Sequence, residues 1–359
     1  MEENNFVYTD NSELIEEKKE FFKIPSVWQV GLLFSFVVII FLYLGTRLQN
    51  WNLNYGLILT EVGLIFLPSV LFLLVFKFNP QKVLRLNNPG IKNILLIFGI
   101  VIFSIPVIGV LNILNYWVIK QIFGNYEIFQ APISTESWGL PVGILIIGVL
   151  AGICEEVLFR GVIQRGFENL GPVKSILFTS VLFGFMHVDF QRFLGTFILG
   201  ALLGYLAYKS NSLFCSIFAH FANNSIAVCM TYVSLKASEI LKKSNVNAVE
   251  NIDSGDIFKT FATLSPMEIT VAVVLYAMIF CFSAIWLYFL LRFFAKNNSK
   301  RGADSVDEVK AEGKVSLRQF SPFLPGLSLI LFIYVLKMLS LGSVVDSETI
   351  IQIYRAIGL

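Results

Sequence analysis

Five polar residues interrupt long apolar runs at spacings that can do chemistry: Glu155, Glu156, His187, His220 and Asn224. Glu155 and Glu156 follow an unbroken apolar and glycine run, Leu140 to Cys154, and Arg160 comes five residues after the first. On a helix, residues three and four apart share a face. Glu156 and Arg160 are therefore placed to neutralise each other, while Glu155 is rotated about 100° away and free to face something else. His187 and His220 are the only histidines in the chain. His220 and Asn224 are again four apart and share a face; Asn223 is expected to point elsewhere. A carboxylate beside a neutral imidazole in a dry pocket can hold a water and take its proton. A second imidazole and an amide N–H on one helical face could donate to a developing oxyanion. That is a design for hydrolysing a peptide bond without a serine or cysteine nucleophile.

The surrounding chain must bring these groups together inside a membrane. Of 359 residues, 56% are hydrophobic and 14% charged, and the mean hydropathy is +0.72. Soluble domains carry roughly 25% charged residues. Apolar runs near 27–45, 57–77, 93–116, 140–157, 174–187, 193–208, 213–233, 269–291 and 324–342 give nine candidate spans. The fifth is short for a ~30 Å hydrocarbon core, so eight or nine spans are expected. The fold class is an all-α, polytopic transmembrane bundle enclosing an intramembrane polar chamber. Trp28, Trp51, Trp117 and Trp138 fall near span ends, as interface anchors do. Gly200 and Gly204 form a G-x-x-x-G that suggests close helix packing. The cysteines Cys154, Cys215, Cys229 and Cys281 sit in apolar runs without a C-x-x-C pair and read as small buried hydrophobes.

Domain organisation follows composition. Residues 1–26 form a polar, acidic tail unlike a cleavable signal peptide. Residues 27–233 form the helical core, with the chemistry concentrated in 140–233. Residues 234–267 are a polar insertion with a candidate amphipathic helix, "LKASEILKK". Residues 268–359 hold the last membrane helices and a charged, flexible loop at 294–320. The last residues, "YRAIGL", carry no lipidation signal. If all nine runs span, connections on the N-terminal side carry more than twice the Lys and Arg of those opposite. This predicts a multi-pass cell-membrane protein with a cytoplasmic N-terminus. The net charge of +2 gives no reason to expect nucleic acid.

Depth can be estimated from the turn "NLGPVK" (169–174), where Gly171 can end one helix and Pro172 start the next. If the fourth helix runs to that turn, Glu155 lies 16 residues before Gly171 and His187 lies 16 after. At 1.5 Å per residue both sit about 24 Å from the turn. His220 lies about 15 Å in from the next turn on that side. Three helices then converge on one chamber. Glu61 and Lys337 are further ionisable residues inside apolar runs; they could snorkel or pair with each other, and neither is assigned a role. Asp189 and Arg192 are expected at a membrane surface.

These residues resemble the motifs of the CAAX prenyl endopeptidase and bacteriocin-processing (Abi, or CPBP) intramembrane proteases. E-E-x-x-x-R stands as Glu155-Glu156-Val-Leu-Phe-Arg160, F-x-x-x-H as Phe183-Gly-Phe-Met-His187, and H-x-x-x-N as His220-Phe-Ala-Asn-Asn224. The resemblance implies that Glu155 is the general base and His187 its water-activating partner. His220 and Asn224 would stabilise the oxyanion, Arg160 would orient the site through Glu156, and Phe183 would be a wall residue. It implies no metal. The alternative is Zn²⁺ on Glu155, His187 and His220, since one Glu and two His can hold zinc with an open position. The expected partners are a membrane-associated peptide or protein substrate and the lipid bilayer. A catalytically silent scaffold or immunity protein of the same fold is the competing function. A proton-coupled transporter, which also uses buried Glu and His, fits less well because no inverted repeat is visible.

Overall fold

The computed structural model describes residues 22–128, 132–134, 136, 138–243, 257–301 and 315–358. The tail expected at 1–26 lies mostly outside these residues, as does the middle of the charged loop expected at 294–320 (302–314), while its two ends are largely helical, one continuing the helix Pro266–Asn297 and the other beginning a helix at Leu317. Inside a bilayer every backbone N–H and C=O must be satisfied within its own segment, and so the apolar runs become helices. Nine of them correspond to the nine runs: α1 (Val27–Trp51), α2 (Leu53–Val75), α3 (Ile91–Phe123), α4 (Gly139–Leu170), α5 (Pro172–Met186), α6 (Phe193–Ser210), α7 (Leu213–Lys243), α8 (Pro266–Asn297) and α9 (Leu317–Leu341). Beyond these and two short helical turns, Pro80–Val83 and Ile257–Ala262, an amphipathic helix α10 (Ser347–Ala356) follows that no apolar run marks; Asp346 caps it by accepting from the Thr349 N–H at 2.9 Å. No β-sheet occurs among the described residues. The chain is an all-α, multi-pass membrane protein.

Eight of these helices are long and apolar enough to cross a membrane; α5, with 15 residues, is not. At 1.5 Å per residue it reaches only about 22 Å from its start. The turn before it is built as the sequence requires, with Gly171 at φ +90° and Pro172 in the first helical position. The far end of α5 therefore stops at depth, and His187 caps it there. The segment 234–243 is not a separate helix, since α7 runs unbroken through "LKASEILKK". Nothing in that stretch breaks a helix, and propagation costs less than nucleating a second one.

The connections expected on one side of the membrane meet. Arg85 pairs with Glu168 at 2.6 Å, its Nε donates to Asn211 Oδ1 at 2.9 Å, and its carbonyl accepts from the Leu213 N–H at 3.0 Å. Cys154 and Cys215 are buried as expected and Cys229 half-buried, whereas Cys281 is exposed on α8; all four are free thiols.

Two apolar cores flank the middle of the bundle. One joins α1, α2, α4, α5 and α9 around Phe34, Phe159, Phe167 and Phe183. The other joins α3, α6, α7 and α8 around Ile97, Leu203, Ala219 and Phe294. α9 lies directly on α1: Ser35 Oγ donates to the Pro322 carbonyl at 2.5 Å and accepts from the Gly326 N–H at 3.1 Å. A Cβ at Gly326 would sit 2.9 Å from the Ser35 Cα, so no larger residue fits without moving a backbone. Gly326→Val is expected to destabilise the bundle by about 1–3 kcal/mol through overpacking. Thermal unfolding in detergent measures this, and a Tm equal to the parent's would contradict the close approach.

Candidate active site

α4 carries the first pair of acids between two π-helical stretches, Ile144–Leu150 and Val157–Ile163. Such turns are frequent at functional sites because they re-aim side chains and free backbone groups. Glu156 points into the protein and is fully buried. Its Oε1 accepts from Arg160 Nη1 at 2.5 Å and from His220 Nδ1 at 2.8 Å. Arg160 in turn donates through Nη2 to the Gly200 carbonyl at 3.0 Å, and its guanidinium lies 4.3 Å from the centre of the Phe183 ring. One turn further on, Gln164 Nε2 donates to the Gly204 carbonyl at 3.1 Å. The two glycines thus let α6 approach closely enough for its carbonyls to be read by side chains of α4. At Gly200 a Cβ would lie 3.1 Å from the Phe183 ring and 3.2 Å from the Ser180 Cα.

Glu155 turns away from this network. It is half-buried and makes no hydrogen bond or ion pair among the described residues. It lines a cavity of about 590 Å³ with His187, His220, Asn223, Asn224 and Phe183. The volume lies within the ~300–1,000 Å³ typical of ligand pockets. Phe183 is the shared wall: its ring centre lies 4.9 Å from that of His187 and 5.8 Å from that of His220.

Hydrogen bonding fixes the neutral ring forms. His187 Nδ1 lies 2.9 Å from the Phe183 carbonyl, which can only accept, so Nδ1 carries the proton. His220 Nδ1 faces the Glu156 carboxylate and is the donor there by the same reasoning. In each neutral ring Nε2 is the basic nitrogen. His220 can therefore donate toward an oxyanion only when its ring carries both protons. Asn224 spends one N–H on the Ile147 carbonyl of α4 at 2.9 Å, and its Oδ1 accepts from Asn223 at 3.1 Å. The amide thus has one N–H left for the chamber.

Several placements differ from the sequence expectation. Glu156 is shared between Arg160 and His220 rather than paired with Arg160 alone, because α7 packs its His220 face onto α4. No hydrogen bond joins Glu155 to either imidazole. Asn223 lines the cavity beside Asn224 instead of pointing elsewhere. Arg192, expected at a membrane surface, lines the cavity as well, since it lies in the turn that follows the short α5. Glu61 and Lys337 are not paired. Glu61 lines the chamber from a π-helical stretch of α2, Thr60–Phe66, with Oε2 buried and unpartnered. Lys337 Nζ donates to the Val188 carbonyl at 2.8 Å. The only advance signal for these two was an ionisable residue inside an apolar run.

Among the described residues, no three of His, Cys, Asp and Glu are arranged to hold a metal ion. Glu155, His187 and His220 line the same cavity without forming such a group.

Residues 137–226 match the family described as "Type II CAAX prenyl endopeptidase Rce1-like". The match covers about a quarter of the chain. The matched stretch begins at the start of α4 and ends within α7, so it contains Glu155, Glu156, Arg160, Phe183, His187, His220 and Asn224. Glu61 and Lys337 lie outside it. The chain is also similar to a protein of Bacillus subtilis (strain 168) named "Putative membrane peptidase YdiL", with 25% identity over 204 residues, covering 56% of this chain and 81% of that one. No solved structure matches.

Proposed function

We propose that the chain is an intramembrane endopeptidase in which Glu155 activates water for attack on a membrane-associated peptide. The observation that carries this reading is the division of labour between adjacent carboxylates. Glu156 is buried and doubly engaged. Glu155, rotated by one residue, is unpaired and faces a cavity that also holds two imidazoles and two amides. A carboxylate without a donor partner is available to accept a proton from water, which general-base catalysis needs. The family match and the similarity to a protein named as a membrane peptidase support the same chemistry.

In the proposed sequence, Glu155 takes a proton from a water held between it and His187 Nε2. The hydroxide adds to the scissile carbonyl, and the oxyanion is met by the remaining Asn224 N–H and by His220 when doubly protonated. Glu155 then returns its proton to the leaving amine, giving a free carboxylate and amine. Arg160 acts through Glu156, which fixes the His220 ring. No metal takes part. The catalytic core is 140–233, supported by the helices on either side. The N-terminus is cytoplasmic, in the cell membrane.

Purified protein in lipid nanodiscs, incubated with solubilised membrane peptides, is expected to generate new peptide termini, read by mass spectrometry. Cleavage should survive EDTA and 1,10-phenanthroline. Loss on chelation with recovery on adding Zn²⁺ would overturn the metal-free step. Full biological activity in a Glu155→Ala, His187→Ala double variant would overturn the enzyme and favour a scaffold.

A further inference from the structure

Lys337 lies within the apolar helix α9, where an ammonium is unfavourable unless it finds acceptors. Its acceptor is the carbonyl of Val188, the residue after His187. Val188 has φ +51°, a left-handed conformation that a β-branched side chain rarely adopts and that stores backbone strain. This conformation ends α5 after His187 and turns the chain toward α6. One turn before Lys337 on the same face of α9, the Tyr334 hydroxyl lies 3.5 Å from the Gly184 carbonyl. The Tyr334 ring packs on Phe185 and Phe190, on either side of His187. The His187 ring is itself tied to the backbone through the Phe183 carbonyl. The orientation of that imidazole therefore depends on the main chain from 183 to 188, which α9 holds at two carbonyls.

We propose that α9 is a positioning clamp for His187, with Lys337 fixing the strained Val188 turn and Tyr334 bracing the last turn of α5. Lys337 touches no reacting atom; it is a positioning residue. The clamp lies outside the family-matched segment, separated from Val188 by 149 positions in sequence. It lets a C-terminal helix set the geometry of a site carried by α4–α7. The consequence for cleavage rests on the endopeptidase reading; the clamp itself does not.

The chain's two histidines allow a direct test. Protein labelled with ¹⁵N-histidine in lipid gives two imidazole systems by solid-state NMR, assigned with His187→Gln. Lys337→Met is expected to shift or split the His187 ring resonances and leave those of His220 in place; Lys337→Arg should restore them. Unchanged His187 signals in Lys337→Met would overturn the clamp. So would equal shifts at both histidines, which would report general loosening. Lys337→Arg behaving like Lys337→Met at an unchanged Tm would also count against it. Where cleavage is measurable, Lys337→Met should lower kcat up to about 10²-fold with KM little changed, as expected for a small misplacement of a catalytic group. A His187 shift in a protein that cleaves nothing would leave the clamp standing and remove the endopeptidase reading.

Discussion

Glu155→Gln is expected to insert and unfold like the parent and to cleave about 10²–10⁴-fold more slowly, the range supplied by a positioned general base. Glutamine keeps the size of the side chain but cannot take a proton from water. Because Glu155 makes no hydrogen bond or ion pair among the described residues, its replacement removes no structural contact. The loss should therefore appear in kcat, with Tm unmoved. Parallel rate measurements on membrane peptides and thermal unfolding in detergent separate the two. Retained cleavage in purified Glu155→Gln protein would end the assignment of Glu155 as the base. Placing the same substitution one residue later gives the contrast: Glu156→Gln should lower Tm as well as rate, since that carboxylate holds both Arg160 and His220.

Arg160→Met should be the most destabilising single change. Both partners of the Glu156–Arg160 pair are fully buried, with side chains at 0% exposure. Removing the cation leaves a carboxylate in a low-dielectric interior with only an imidazole beside it. Breaking a buried pair from one side costs about 3–5 kcal/mol. Arg160 also supplies a hydrogen bond to the Gly200 carbonyl and covers the Phe183 ring, so α4, α5 and α6 all lose a contact. Removing the other charge as well, in Glu156→Gln, Arg160→Met, should recover a large part of the loss, because no uncompensated charge remains. Tm measured across the cycle tests this. A double variant no more stable than Arg160→Met would mean that the hydrogen bond to α6, not the charge, dominates.

How much of this arrangement could be read from the chain depends on which physical signal carries each part. Apolar run length and the 1.5 Å rise per residue fix the spans, the short α5 and the common depth of Glu155 and His187. They are properties of one helix at a time, or of two helices joined by a tight turn. The four-residue spacing of Glu156 and Arg160 likewise sufficed for their pairing. The stretch "LKASEILKK" is helical as expected, but as the end of α7, because no residue there stops that helix. α10 was missed because it is too short and polar to stand out in a hydropathy reading.

Contacts between helices far apart in sequence were decided by the tertiary structure. That His220 shares Glu156, that Asn224 spends an N–H on Ile147 and that Lys337 reaches Val188 all depend on helix rotation and register. Spacing at 100° per residue does not give either. The π-helical stretches beside Glu155 and around Glu61 add to this, since each inserts an extra residue and turns the side chains beyond it to a new face. Hydrophobicity and helical rise are local, and they specify a multi-pass helical membrane protein with Glu155 and His187 at one depth. Only the packing of seven helices around one cavity decided which of those residues hold each other and which is left facing the chamber.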